Sequence, residues 1–158
     1  MKKKGFTLIE LLVVIGIVVI LMAAALVAIN PFRQFAMANN ASRWSGVTTI
    51  MNAVSQAIVE GKGTFKCTPT GAAVTDCPDK GDTVPTTATN MTNSGGYDIC
   101  SCLVDKYVAT LPYDPQTGSY TSCTTYDTHY EISSNTTNGR VTVKAPDAQL
   151  GETISLTR

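Results

Sequence analysis

Charge is scarce in this chain of 158 residues: Lys, Arg, Asp and Glu together make up 15%, and the formal net charge is zero. That leaves no electrostatic reason to expect nucleic-acid binding by the bulk of the chain. Histidine is scarcer still, with His129 the sole copy. A Ser-His-Asp triad would have to use it. No Gly-x-Ser-x-Gly elbow accompanies it, and it sits between Thr128 and Tyr130 in a strand pattern, where a surface imidazole is the ordinary reading. No glycine-rich phosphate-binding motif appears. Nor is there a Cys-x-x-Cys pair, which argues against a zinc site. The chain reads as no enzyme, with no cofactor and no structural metal.

The few charges are unevenly placed. Lys2, Lys3 and Lys4 hold three of the twelve basic side chains, and beyond Gly5 nine basic residues face twelve acidic ones. From Leu11 to Ile29 run 19 residues without a charge, nearly all Leu, Ile, Val, Met or Ala, and the next charge is Arg33. A helix from Phe6 to Ile29 would be roughly 36 Å long, enough for a bilayer core of about 30 Å. The positive-inside rule keeps Lys2–Lys4 in the cytoplasm and so puts the polar remainder outside. All five cysteines, Cys67, Cys77, Cys100, Cys102 and Cys123, lie in that remainder, which fits an oxidising compartment.

An ordinary secretory signal has a shorter apolar stretch, and it does not carry an acid where this one carries Glu10. An ionisable group in a membrane segment is costly and marks a functional position. The string Lys4-Gly5-Phe6-Thr7-Leu8-Ile9-Glu10-Leu11-Leu12-Val13-Val14-Ile15 resembles the prepilin signal of type IV pilins and type II secretion pseudopilins. The resemblance implies a cut between Gly5 and Phe6 by prepilin peptidase and N-methylation of Phe6. It also implies an assembly role for Glu10, whose carboxylate would meet the new amine of a neighbouring copy. Further implied partners are the chain itself, as a helical homopolymer, an assembly ATPase and an inner-membrane platform protein. In pilins an early proline loosens the helix; here Val27 occupies its place and Pro31 lies four residues later.

Asn30-Pro31 predicts a kink or local break, because proline loses a hydrogen bond and clashes with the preceding turn. Beyond it, Trp44, Val47, Ile50, Met51, Val54 and Ile58 recur at helical spacing, and Gly61 supplies a stop. One long bent helix over Phe6–Glu60 is expected, apolar all round in its first half and amphipathic in its second. Residues 64–96 read as a loop. Ile99–Leu111 reads as a short helix ended by Pro112, with Leu103, Val104, Tyr107, Val108 and Leu111 inward. Three strands come last: Tyr126–Ser133, then Val141 and Val143 after the Asn138-Gly139 hairpin signal, then Thr153–Leu156.

The fold class is therefore α+β, a long amino-terminal helix packed on a small antiparallel sheet of about three strands, which is also the pilin-like layout. The expected parts are a leader over 1–5, a transmembrane or filament-core helix over 6–30, the amphipathic half over 31–60 and an extracellular head over 61–158. Five cysteines leave one over; the expected bridges are Cys67–Cys77, and Cys123 with either Cys100 or Cys102. Asp114, Asp147 and Glu152 read as solvated turn residues, although the resemblance raises calcium as an alternative for them. Leu111-Pro112-Tyr113-Asp114-Pro115 with Gly118 is similar to a segment of major pseudopilins. Asn40, Asn90 and Asn135 open glycosylation triplets.

The expected function is a structural subunit that polymerises into a type IV pilus-like filament. The alternatives are a secretion pseudopilin acting in protein export and an anchored binding module that does not polymerise. Before assembly the chain would sit in the cytoplasmic membrane as a single-pass protein, and afterwards in a surface filament or periplasmic pseudopilus.

Overall fold

The structure is a computed structural model that describes residues 5–61, 65 and 84–158. It divides into two compact units, Met1–Ala36 and Met37–Arg158.

In the first unit, helix α1 (Leu8–Ile29) begins at Thr7, which accepts a hydrogen bond from the Glu10 backbone N–H at 3.3 Å. It ends at Asn30, whose backbone is left-handed at φ 46°. Asn tolerates that conformation better than most residues with a side chain. The Asn30 Oδ1 accepts from the Arg33 N–H at 3.4 Å and so caps the next helix. Pro31 is the first residue of that helix, α2 (Pro31–Glu60), where its missing N–H costs nothing. The expected single bent helix is thus two helices parted by one residue, with the break where proline demands it.

The second unit takes over at Met37. Along α2, Val47, Ile50, Met51 and Val54 are buried and Ile58 is partly buried, as their spacing predicts. Trp44 departs from that expectation and is 40% exposed. Arg43 and Asn40, four and seven residues before Val47, continue the buried face instead. Glu60 is the last helical residue, and the Gly61 N–H closes the final turn on the Ala57 carbonyl.

Among the described residues the sheet has five antiparallel strands: β1 (Thr89–Thr92), β2 (Ser119–Ser122), β3 (Thr125–Ser134), β4 (Val141–Ala145) and β5 (Ile154–Thr157). Their order is β1-β3-β4-β5, with β2 also paired to β3. The expected three-strand meander is present as β3-β4-β5. Two short strands are added to it, one of them inside the stretch expected to be loop. The expected helix over Ile99–Leu111 shrinks to α3 (Cys100–Leu103). Asp105 turns left-handed at φ 68°, and Val104 bridges to Val108, so the apolar residues reach the core without a continued helix. Leu103 and Leu111 are fully buried, while Val104, Tyr107 and Val108 pack partly buried against the core.

The core joins Val47, Ile50, Met51 and Val54 to Met91, Ile99, Leu103, Tyr130, Ile132, Val143 and Ile154. Each such side chain contributes roughly 1.5–3 kcal/mol by leaving water. At Gly46 the helix comes so close to the sheet that an added Cβ would stand 2.9 Å from the Tyr130 ring.

Candidate functional site

Gly5 and Phe6 lie ahead of α1 in irregular, exposed backbone, with Phe6 85% exposed and nothing within 4 Å of where a Gly5 side chain would stand. Lys2–Lys4 fall outside the described residues. Thr7 and Glu10 form a capping box: Glu10 Oε2 accepts from the Thr7 N–H and from Thr7 Oγ1, each at 2.9 Å. The acid at the mouth of the apolar helix is therefore oriented by its own chain. The box engages Oε2 and, among the described residues, Oε1 accepts no hydrogen bond. Sequence reasoning missed this box, although Thr-x-x-Glu before an apolar run is its signature. The 20 residues Leu8–Val27, which include Glu10, are long and apolar enough to cross a membrane, and none of that stretch is buried.

In the head the three candidate acids have separate employments. Asp114 corrects the expectation of a solvated turn residue, since it is fully buried. Its Oδ2 receives Arg43 Nε at 2.6 Å and its Oδ1 receives Arg43 Nη2 at 3.1 Å, a bidentate pair. Arg43 Nη2 also donates to Gln116 Oε1 at 3.1 Å, and Nη1 donates to Asn40 Oδ1 at 3.1 Å and Gln149 Oε1 at 3.4 Å. All five guanidinium donors are thereby used. Burial works against the Asp114 charge, but the Arg43 hydrogen bond, the Gln116 and Thr117 N–H groups and the Arg43 charge outweigh it and hold the carboxyl below its ordinary value. Glu152 accepts from Asn40 Nδ2 at 2.7 Å, and Asp147 accepts from Thr117 Oγ1 at 2.6 Å. Among the described residues no group of three or more His, Cys, Asp or Glu is placed to hold a metal ion.

His129 stands on β3 at φ 54°, where the two steps from Asn90 to Thr92 in β1 face the four from Glu131 to Asp127 in β3. Its Nδ1 is 3.3 Å from Asp147 Oδ2 and its Nε2 is 3.8 Å from Asp127 Oδ2. Each ring nitrogen thus faces a carboxylate, Asp147 on one side and Asp127 on the other. Cys100 is bonded to Cys123, which settles one of the two alternatives. Cys102 is disulfide-bonded as well, so neither Cys100 nor Cys102 is the one left over. Cys67, Cys77 and the pairing expected between them lie outside the described residues. Close by, Tyr126 donates to Asp98 Oδ1 at 2.6 Å and accepts from the Ile99 N–H at 3.1 Å. Burial and then the Asp98 partner push the Tyr126 phenol well above its ordinary value. Asn40 is only 3% exposed, and its amide donates to Glu152 and to the Gln149 carbonyl; the Asn90 amide donates to Asp127. Both amides are thus engaged inside the fold, whereas Asn135 is exposed on the β3–β4 connection.

Residues 1–26 match the family described as the prokaryotic N-terminal methylation motif. The chain thus carries the amino-terminal signal of type IV pilin and pseudopilin precursors, and that signal points to structural subunits rather than enzymes. Signal and apolar helix together indicate a membrane anchor. No curated protein and no solved structure matches the chain.

Proposed function

We propose that this precursor of the pilin and pseudopilin class is cut between Gly5 and Phe6, methylated on Phe6 and polymerised through α1 into a type IV pilus-like filament. The observation that carries the reading is Glu10, an acid held in place at the head of an otherwise apolar helix within the matched segment.

Cleavage after Gly5 removes the lysines and keeps the anchor. The new amine at Phe6 has an ordinary pKa of about 7.7–8.0 and is largely cationic near pH 7. In a core of packed α1 helices both this cation and the Glu10 carboxylate lose water. Pairing them between copies offsets part of each cost and fixes axial register. The capping box presents the carboxylate with Oε1 available to a neighbour's ammonium. Repeating a head-to-tail contact that does not close produces a filament. Prepilin peptidase, an assembly ATPase and an inner-membrane platform protein are the partners this route requires.

Glu10→Gln keeps the helix apolar and removes the charge. In cells it is expected to give processed, membrane-bound subunits and few or no filaments in the sheared fraction. Normal filament yield from Glu10→Gln would overturn the proposed role.

A secretion pseudopilin is the second reading, favoured by Leu111-Pro112-Tyr113-Asp114-Pro115 and Gly118. The turn holds Asp114 against Arg43, and at Gly118 an added Cβ would stand 2.6 Å from the Asp114 nitrogen. Electron microscopy of sheared surface filaments, with mass spectrometry for this chain, separates the two. A pilus subunit is recovered in them, whereas a pseudopilin stays with the cell.

A further inference from the structure

We propose that the start of α2 is a lipid-headgroup anchor, with Phe32 and Phe35 in the boundary between acyl chains and headgroups and Arg33 on lipid phosphate. This rests on reading α1 as the membrane helix and adds where the bilayer stops.

The first observation is length. The 22 residues of α1 span about 33 Å at 1.5 Å per residue, close to a hydrocarbon core of about 30 Å. A bilayer fitted to α1 therefore runs out near Ile29. The second is the break. Asn30 leaves helical geometry and Pro31 brings no N–H, so the chain interrupts its backbone hydrogen bonding at this point. Polar backbone is tolerated at the membrane surface and expensive within the hydrocarbon.

The third observation is the pair of aromatic rings just past the break. Phe32 is 85% exposed and Phe35 is 68% exposed, three residues apart on neighbouring positions of one helix face. Side chains of this size bury about 150–250 Å² each when covered, so leaving two of them in water is unfavourable. Arg33 lies between them and is the first charge after Glu10. Among the described residues its guanidinium has no acid within ion-pair distance, and only its backbone N–H is bonded, to Asn30. An apolar aromatic pair with an unpaired cation, continuous with the exposed surface of α1, matches the chemistry of a phospholipid interface. On an interfacial helix, Phe side chains sink into the boundary between headgroups and acyl chains, and Arg reaches phosphate while its stem stays in apolar surroundings.

The test uses the full chain in vesicles of phosphatidylcholine with anionic phosphatidylglycerol. Trp44→Phe removes the native tryptophan, and Phe32→Trp, Phe35→Trp or Val19→Trp adds a single reporter. Lipids brominated at shallow or at deep acyl carbons serve as quenchers. The proposal expects blue-shifted emission at positions 32 and 35, quenched more by shallow than by deep bromines. The order should reverse at position 19. Arg33→Glu should shift the emission of the position-32 reporter toward that of water in the anionic vesicles.

Water-like, unquenched emission at 32 and 35 with normal deep quenching at 19 would overturn the anchor and leave the membrane helix standing. Deep quenching at 32 would overturn it too, because the break would then lie inside the bilayer. Loss of quenching as the protein-to-lipid ratio rises would overturn it by assigning the aromatic face to a second copy of the chain. No quenching at 19 would remove the membrane helix, and the anchor with it.

Discussion

Arg43 and Asp114 form an ion pair with essentially no exposure, and a small head tolerates it only because every guanidinium donor is used and both carboxylate oxygens are bonded. Removing one partner leaves the other charged and dry. Arg43→Met is therefore expected to cost about 3–5 kcal/mol in urea unfolding of the full chain, and Arg43→Met with Asp114→Leu to recover much of it. The pair also sets an acid limb to the stability. Asp114 is held below its ordinary value, so its contribution is complete above an unfolded pKa of about 3.9. It declines as pH falls through that value toward the lower folded one. Unfolding measured from pH 6 downward should show this loss in the wild type and a smaller one in Arg43→Met. Neither residue announced itself in the sequence. Asp114 stands between Tyr113 and Pro115 in a turn segment, and Arg43 is a charged residue just ahead of the apolar row that opens at Trp44. The signal was there in spacing alone, since Asn40 and Arg43 extend the buried row of Val47, Ile50 and Val54 toward the amino terminus.

The elements divide by how far their own residues specify them. In β3 and β4, buried and less buried positions alternate, as at Tyr126, Thr128, Tyr130 and Ile132, so their pattern could be read directly. β1 and β2 are four residues each with a single large side chain, Met91 and Tyr120, and they exist because β3 offers edges to pair with. Such dependence on a partner strand is invisible to local periodicity. The helical spacing over 99–111 misled for a related reason. It reported correctly which residues face inward, but a single left-handed Asp105 delivers them there without a helix. The contact of α2 with β3 gives a prediction at this scale. Gly46→Ala gains up to about 1 kcal/mol of helix propensity. It also pushes a methyl group against the Tyr130 ring, whose hydroxyl is tied to the Tyr113 carbonyl at 3.1 Å. Overpacking of this kind costs about 1–3 kcal/mol, so the variant should be less stable by thermal unfolding. Combining it with Tyr130→Val should show a loss smaller than the sum of the two.

At the scale of the molecule, the apolar helix and the α+β layout were legible from composition and spacing over long stretches, and the amino-terminal signal from the resemblance carried by the short string Lys4–Ile15. The disulfide partner of Cys123 was not, since Cys100 and Cys102 differ by position in a short helix that only the folded head defines. These parts meet in one proposed sequence of events: the leader is removed, the helix is kept, and the amine exposed at Phe6 meets Glu10 of another copy. Intact-mass and amino-terminal analysis of the chain recovered from its native cells tests this most directly. It should find a protein that begins at Phe6, one methyl group heavier on that residue's nitrogen, with α1 retained. A mature chain that still carries Lys2–Lys4, or one that starts beyond Ile29, would contradict it.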